Sequence, residues 1–277
     1  MKKKTHHALT LINLFLGCSH WLFALFVFND EGDWQVHLTT TFLDWRYPSD
    51  NGSSIAYHED EIPILVPVSV RLTGIPRVSL KWLVFTFHML SGVWQLLVVT
   101  VAPVQNFYEK ELSKRRNSLR WFEYSVTAPL MIICIAVLMG QSDVGVLFLL
   151  YWLTFTLMML GLLTECMDNN VFIHIIGWIV HIATWCCVSF TFFYSFEHGT
   201  RKPPVRFRPI LYIIYFSMMT LFGCFGVVQL VSVALPKTSF YSIEVTYSIL
   251  SLVSKIVLGL LVWQAIKLRD DIGIRMI

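Results

Sequence analysis

Hydrophobic positions along the chain gather into seven runs, each long enough to cross a hydrocarbon core about 30 Å thick. They predict helices at about 8–28, 80–103, 116–139, 144–164, 171–196, 209–234 and 240–267, with ends good to about two to four residues. Links as short as 140–143 and 164–170 leave no room for soluble lobes. The expectation is therefore an all-α, seven-transmembrane-helix bundle of antiparallel neighbours, one domain over residues 1–277. The loop 29–79, about 50 residues, is too long for an idle connection. In it, residues 34–38 alternate through Trp34, Val36 and Leu38, and residues 62–72 are rich in β-branched side chains. Asp50, Asn51 and Gly52 supply turn chemistry between them, and Pro63 and Pro67 restrict the second segment to an edge strand. A small external β-hairpin over the bundle or against a second protomer is expected; an unstructured loop is the competing reading.

Composition agrees with the pattern: 56% hydrophobic and 14% charged residues, with a mean hydropathy of +0.62, describe a multi-pass membrane protein. The first run, about 21 apolar residues with no small-x-small site after it, is too long for a signal-peptide core and is expected to stay in the mature chain. The net charge of +3 is uninformative, but its placement is not. Lys2, Lys3 and Lys4 precede the first span, and Asp30, Glu31 and Asp33 follow it, which puts the N-terminus in the cytoplasm. Lys110, Lys114, Arg115 and Arg116 fall on the same side and agree; Arg201, Lys202, Arg206 and Arg208 fall on the other and oppose. The six cysteines lie within or at the ends of spans and read as packing residues. No metal-ligand spacing, Gly-rich phosphate loop or Gly-x-Ser-x-Gly elbow occurs, so hydrolase and nucleotide chemistry have no support and no enzyme is expected. The partner this composition requires is the lipid bilayer, not nucleic acid.

Against that apolar background a few polar residues stand out. Lys255 lies near the middle of the seventh run, after Ser251 and Ser254. A lysine at that depth costs about 2.5–3.5 kcal/mol on insertion scales, so it needs a partner or has a function. Two readings compete: half of a structural ion pair, or a desolvated amine that condenses with a carbonyl compound. His20, His88, Glu123 and Glu244 sit in four spans. A lone histidine in an apolar helix is usually an interhelical contact. Two histidines, a carboxylate and a lysine on separate helices are harder to dismiss, because buried charges require partners and facing helices converge in a bundle core.

Residues 120–129 read Arg-Trp-Phe-Glu-Tyr-Ser-Val-Thr-Ala-Pro, which places Arg120, Glu123, Tyr124 and Thr127 on one helical stripe. This run resembles the third helix of microbial retinal rhodopsins, Arg-Tyr-x-Asp-Trp-x-x-Thr-x-Pro. Arg120, Thr127 and Pro129 are kept, Glu123 stands for the aspartate and Tyr124 for the tryptophan. The seventh span keeps the lysine of Asp-x-x-x-Lys but has Ser251 in place of the carboxylate. With the lysine-tagged N-terminus and the long first loop, these departures are similar to the heliorhodopsins. The sixth span lacks Trp-x-x-Tyr-Pro and offers Phe222 and Phe225, again as in heliorhodopsins.

The resemblance implies all-trans retinal bound covalently to Lys255 as a protonated Schiff base, a cytoplasmic N-terminus and a homodimer. A buried cation needs an anion within a few ångströms, which makes Glu123 the expected counterion. Ser251, one turn before Lys255, supplies a hydrogen bond but no charge, and Trp121, Tyr124, Thr127, Phe222 and Phe225 are expected to line the pocket with Arg120 as an electrostatic support. Five residues beyond Pro129, where proton pumps carry an acidic donor, stands Cys134, a poor proton donor at neutral pH. The implied activity is therefore light sensing through a slow photocycle without pumping, passed to an unidentified signalling partner. Light-gated proton conduction is the alternative, with His20, His88 and Glu244 as acceptor or relay candidates; Glu244 lies about 16 Å along the helix from Lys255. A non-photochemical scaffold or transporter remains as a reading from another class.

Overall fold

The computed structural model describes residues 3–46, 64–74, 76–167, 170–198, 203–235 and 237–273. Eight helices are found among them: α1 (Lys3–Asn29), α2 (Leu80–Thr100), α3 (Ala102–Ser113), α4 (Ser118–Leu138), α5 (Val144–Cys166), α6 (Val171–His198), α7 (Arg208–Ala234) and α8 (Phe240–Ile272). Seven of these, all but α3, are long and apolar enough to span a membrane. The spans alternate in direction, so the N-terminus, the α2–α4 connection and the starts of α6 and α8 share one end of the bundle.

The spans differ in how much they hide. In α4, 72% of the apolar window is buried, against 22–44% in the other six, so α4 is the central helix and the rest present an apolar flank outward. That arrangement fits a lipid solvent, where outward faces need no polar cover. Asn117 caps α4 by accepting a hydrogen bond from the Arg120 amide at 3.1 Å. Pro129 inside α4 removes the bond that its amide would have donated to the Ser125 carbonyl. Gly140, at φ +96°, closes the helix in the left-handed conformation that glycine adopts without a Cβ penalty.

Between α1 and α2 the chain forms β1 (Gln35–Val36), β2 (Thr39–Arg46), β3 (Ile64–Arg71) and β4 (Val78–Ser79). β2 and β3 pair antiparallel from Thr39 opposite Arg71 to Arg46 opposite Ile64, and β1 pairs with β4. The expected hairpin is present, but its first strand is Thr39–Arg46. Residues 34–38 contribute only the short β1, which pairs with β4 instead. Asp143 anchors the hairpin to the bundle: its Oδ2 accepts from the Thr41 amide at 2.9 Å while its Oδ1 caps α5. The turn assigned to Asp50, Asn51 and Gly52, together with Pro63, lies outside the described residues, as do Lys2, Arg201 and Lys202. Pro67 lies within β3 opposite Leu43.

The second expected span, at about 80–103, is shorter in the structure and is followed by a separate helix. α2 ends at Thr100, and Pro103 stands in the first turn of α3, a position where its missing N–H costs nothing. α3 buries Tyr108, Glu111 and Leu112 against the bundle end, in a small core with Leu9, Val98 and Phe240.

Candidate functional site

The centre of the bundle is a buried ion pair between α4 and α8. Lys255 Nζ donates to Glu123 Oε1 at 2.7 Å and to Ser251 Oγ at 2.8 Å. All three residues are buried. Ser251 lies four residues before Lys255 on the same helix, so one turn of α8 delivers both atoms to one point. A third helix contributes Ser91 of α2, whose Oγ donates to Glu123 Oε1 at 2.5 Å. The Tyr124 ring lies 5.1 Å from Nζ, within cation–π range.

From Lys255 an apolar cavity opens between α4, α5, α6 and α7, with about 760 Å³ of empty space, part of it continuous with the outside. Every pocket residue expected from the sequence lines it: Trp121, Tyr124, Thr127, Phe222 and Phe225. Two glycines let indoles form its walls. A Cβ on Gly161 would sit 2.2 Å from Trp121 Cζ3, and one on Gly226 would sit 2.7 Å from Trp178 Cζ2. Opposite Lys255, Trp178 Nε1 donates to His174 Nε2 at 3.0 Å, which leaves the His174 hydrogen on Nδ1, facing Gln229 Oε1 at 3.3 Å. Gln229 Nε2 in turn donates to the Gly161 carbonyl at 2.9 Å. A long, flat, apolar molecule with a reactive carbonyl at one end suits this cavity: an amine stands at one end, aromatic planes flank the space, and the hydroxyl of Thr127 is buried without a partner. These residues fit a retinal chromophore.

The remaining candidates fall into two groups on opposite sides of the central pair. His20 and His88 meet Nδ1 to Nδ1 at 2.9 Å, one donating and the other accepting according to tautomer. The His88 ring reaches α8 one turn past Lys255, where a Cβ on Gly259 would lie 3.2 Å from Nε2. On the N-terminal side of the site, Arg120 bonds to both Glu165 and Glu244. Asn117 joins them: its Nδ2 donates to Glu244 Oε1 at 2.5 Å and its amide to Glu165 Oε2 at 3.0 Å. Arg120 thus faces two carboxylates other than Glu123, and its guanidinium stacks 4.1 Å from the Tyr247 ring. A second, smaller cavity, lined by Asn13, Trp94, Tyr108, Arg120, Glu123 and Glu244, lies between this cluster and the central pair. The histidines lie on the half of the bundle remote from the N-terminus, beyond Lys255.

Sequence reading did not single out Ser91, Glu165, Asn117, Gln229 or His174. Ser91 had a usable signal, since it follows His88 by three residues and shares its face.

The sequence profile of the heliorhodopsin family matches residues 9–267, nearly the whole chain. The chain belongs to the heliorhodopsin family. Among solved structures it is similar to the crystal structure of thermophilic rhodopsin, at 11% sequence identity and a TM-score of 0.60, covering 97% of this chain and 96% of that one. At that identity the likeness concerns the fold: a rhodopsin-type bundle of seven spans. No curated protein sequence matches the chain. Membership of a heliorhodopsin family makes this an integral, multi-pass membrane protein of the retinal photoreceptor type.

Proposed function

We propose that the protein is a light sensor in which Lys255 carries all-trans retinal and Glu123 is the counterion, with a slow photocycle that moves no net charge across the membrane. The observation that carries the reading is the buried Lys255–Glu123 pair at the mouth of an aromatic-walled cavity. Lys255 would hold retinal through its amine, and the group would supply a buried, light-absorbing cation there.

The protein's own residues do the rest. Glu123 holds the negative charge beside the lysine nitrogen, and Ser91 and Ser251 fix the geometry with hydrogen bonds to the carboxylate and to the nitrogen. Trp121, Tyr124, Phe222 and Phe225 give the cavity apolar walls and restrict motion within it. A shift of the nitrogen relative to Glu123 changes the charge balance of a packed bundle, which is how a local event becomes a global one. His20 and His88, paired beside α8, are placed to take or pass on a proton. Cys134 is fully buried in the central helix and offers no acidic donor, which favours sensing over pumping. The N-terminus faces the cytoplasm in this reading, the protein acts as one domain and forms a homodimer, and a signalling partner reads its state.

One observation favours a second reading, light-gated proton conduction. The cavity beside Arg120 is lined by both Glu123 and Glu244, so titratable groups run from the histidine pair past Lys255 to the cluster at the N-terminal end. Voltage-clamp recording under illumination separates the two. A visible photocycle with no photocurrent supports the sensor. A current that reverses with the proton gradient supports conduction, and one flowing against the gradient overturns both.

A further inference from the structure

The short helix α3 is not a span, and nothing in the photochemical site accounts for it. It lies between the end of α2 and the start of α4, so the topology fixes it at the N-terminal end of the bundle, beside the ends of the two spans it joins. Its inward face is occupied: Tyr108 and Leu112 pack into the small core, and Glu111 accepts from Arg116 at 2.8 and 2.9 Å and from Ser118 at 2.5 Å. Its outward stripe is Phe107, Lys110 and Lys114, at i, i+3 and i+7, all exposed. Neither lysine forms a salt bridge among the described residues.

The end of α3 adds a third cation in an unusual backbone state. Arg115 sits at φ +58°, and the amides of Arg115 and Arg116 bond back to the Leu112 and Glu111 carbonyls. That is the helix-closing motif in which glycine is the favoured residue at the left-handed position. An arginine there accepts backbone strain and gains an exposed guanidinium, held by a 2.9 Å bond to the Thr238 carbonyl. Thr238 follows Lys237, which is also exposed. The described carboxylates at this end are engaged mainly by other groups, with Lys114 acting on Glu111 only at longer range. Glu111 accepts from Arg116 and Ser118, and Glu165 and Glu244 pair with Arg120.

We propose that α3 is an interfacial helix that binds anionic phospholipid headgroups through Lys110, Lys114 and Arg115, with Phe107 set into the acyl boundary. Charge complementarity chooses the occupant. A row of exposed cations without salt bridges of their own, at the end of the bundle beside an exposed aromatic, suits phosphate-bearing lipid, and juxtamembrane basic residues gain about 1 kcal/mol each from an anionic surface, close to fivefold in affinity. The site is independent of the retinal reading.

Hydrogen–deuterium exchange of the α3 amides tests it, with the full-length protein in nanodiscs of phosphatidylcholine alone or with added phosphatidylglycerol. The expected result is slower exchange over residues 102–117 as phosphatidylglycerol rises, lost in 1 M salt, where the screening length falls to about 3 Å. In the triple variant Lys110→Gln, Lys114→Gln, Arg115→Gly, which keeps the helix-closing turn, affinity for the anionic lipid should fall on the order of 100-fold, so that protection is lost at the phosphatidylglycerol fractions that protect the parent. Equal exchange in the two lipids would overturn the proposal. So would the same protection from inorganic phosphate added to phosphatidylcholine discs, which would mark a free-anion site.

Discussion

Lys255 Nζ and Glu123 Oε1 are 2.7 Å apart, and Glu123 Oε2 is buried without a partner. One carboxylate oxygen thus carries the whole interaction with the lysine and with Ser91, while the other has no hydrogen-bond donor. Removing one partner of a buried pair leaves the other unpaired, at a cost of about 3–5 kcal/mol. Glu123→Gln should therefore destabilise the retinal-free protein by about that much in denaturant unfolding, and in the pigment it should move the visible band to the red. An unshifted band would transfer the counterion role to another carboxylate.

Ser91→Ala removes a short hydrogen bond to a charged acceptor, worth about 1.5–3 kcal/mol. It should destabilise the protein within that range and shift the absorption less than Glu123→Gln does. A spectrum identical to the parent would leave Ser91 with a packing role alone.

For the histidine pair, flash photolysis of His20→Ala with His88→Ala is the appropriate measurement, because either ring could substitute for the other in a single variant. The expected outcome is altered rise and decay of the deprotonated intermediate. Unchanged kinetics in a protein that still binds retinal would reduce the 2.9 Å contact to an interhelical bond.

Much of this site was legible in the sequence because charges are rare in spans and each one needs a reason. Lys255 and Glu123 were found that way and Ser251 by its place one turn before the lysine, and the structure brings the three to one point. Glu165 was missed for the converse reason. It lies one residue beyond the expected end of the fourth span, where a carboxylate looks solvated, yet α5 continues to Cys166 and carries it inward to Arg120. Ser91 carries no charge to draw attention, and only its register with His88 marked it. Helix α3 was hidden because its residues are too polar and too few to resemble a span. The first hairpin strand was misplaced because the alternation of Trp34, Val36 and Leu38 reflects packing against the bundle, whereas the β-branched run at Thr39, Thr40 and Thr41 begins the longer ladder.

Acid should loosen the α3–α4 junction. Burial pushes the Glu111 carboxyl up, but the hydrogen bonds from Arg116 and Ser118 outweigh it and hold the group below its ordinary value. A carboxyl lowered in this way stabilises the fold above its unfolded value, about 4.3, and loses that contribution as pH falls through the folded one. The protection factors of the amides over residues 102–117, taken relative to the intrinsic exchange rate at each pH, should therefore fall below about pH 4 and show no such step in Glu111→Gln. The same step in the variant would assign it to another group.

The central claim is that Lys255 holds the chromophore, and colour tests it most directly. The protein expressed with all-trans retinal should show a visible band that hydroxylamine bleaches. Borohydride reduction should fix the retinyl mass to the peptide containing Lys255, and Lys255→Ala should give a folded, colourless protein. A colourless parent, or a Lys255→Ala variant that keeps the band, would contradict the account.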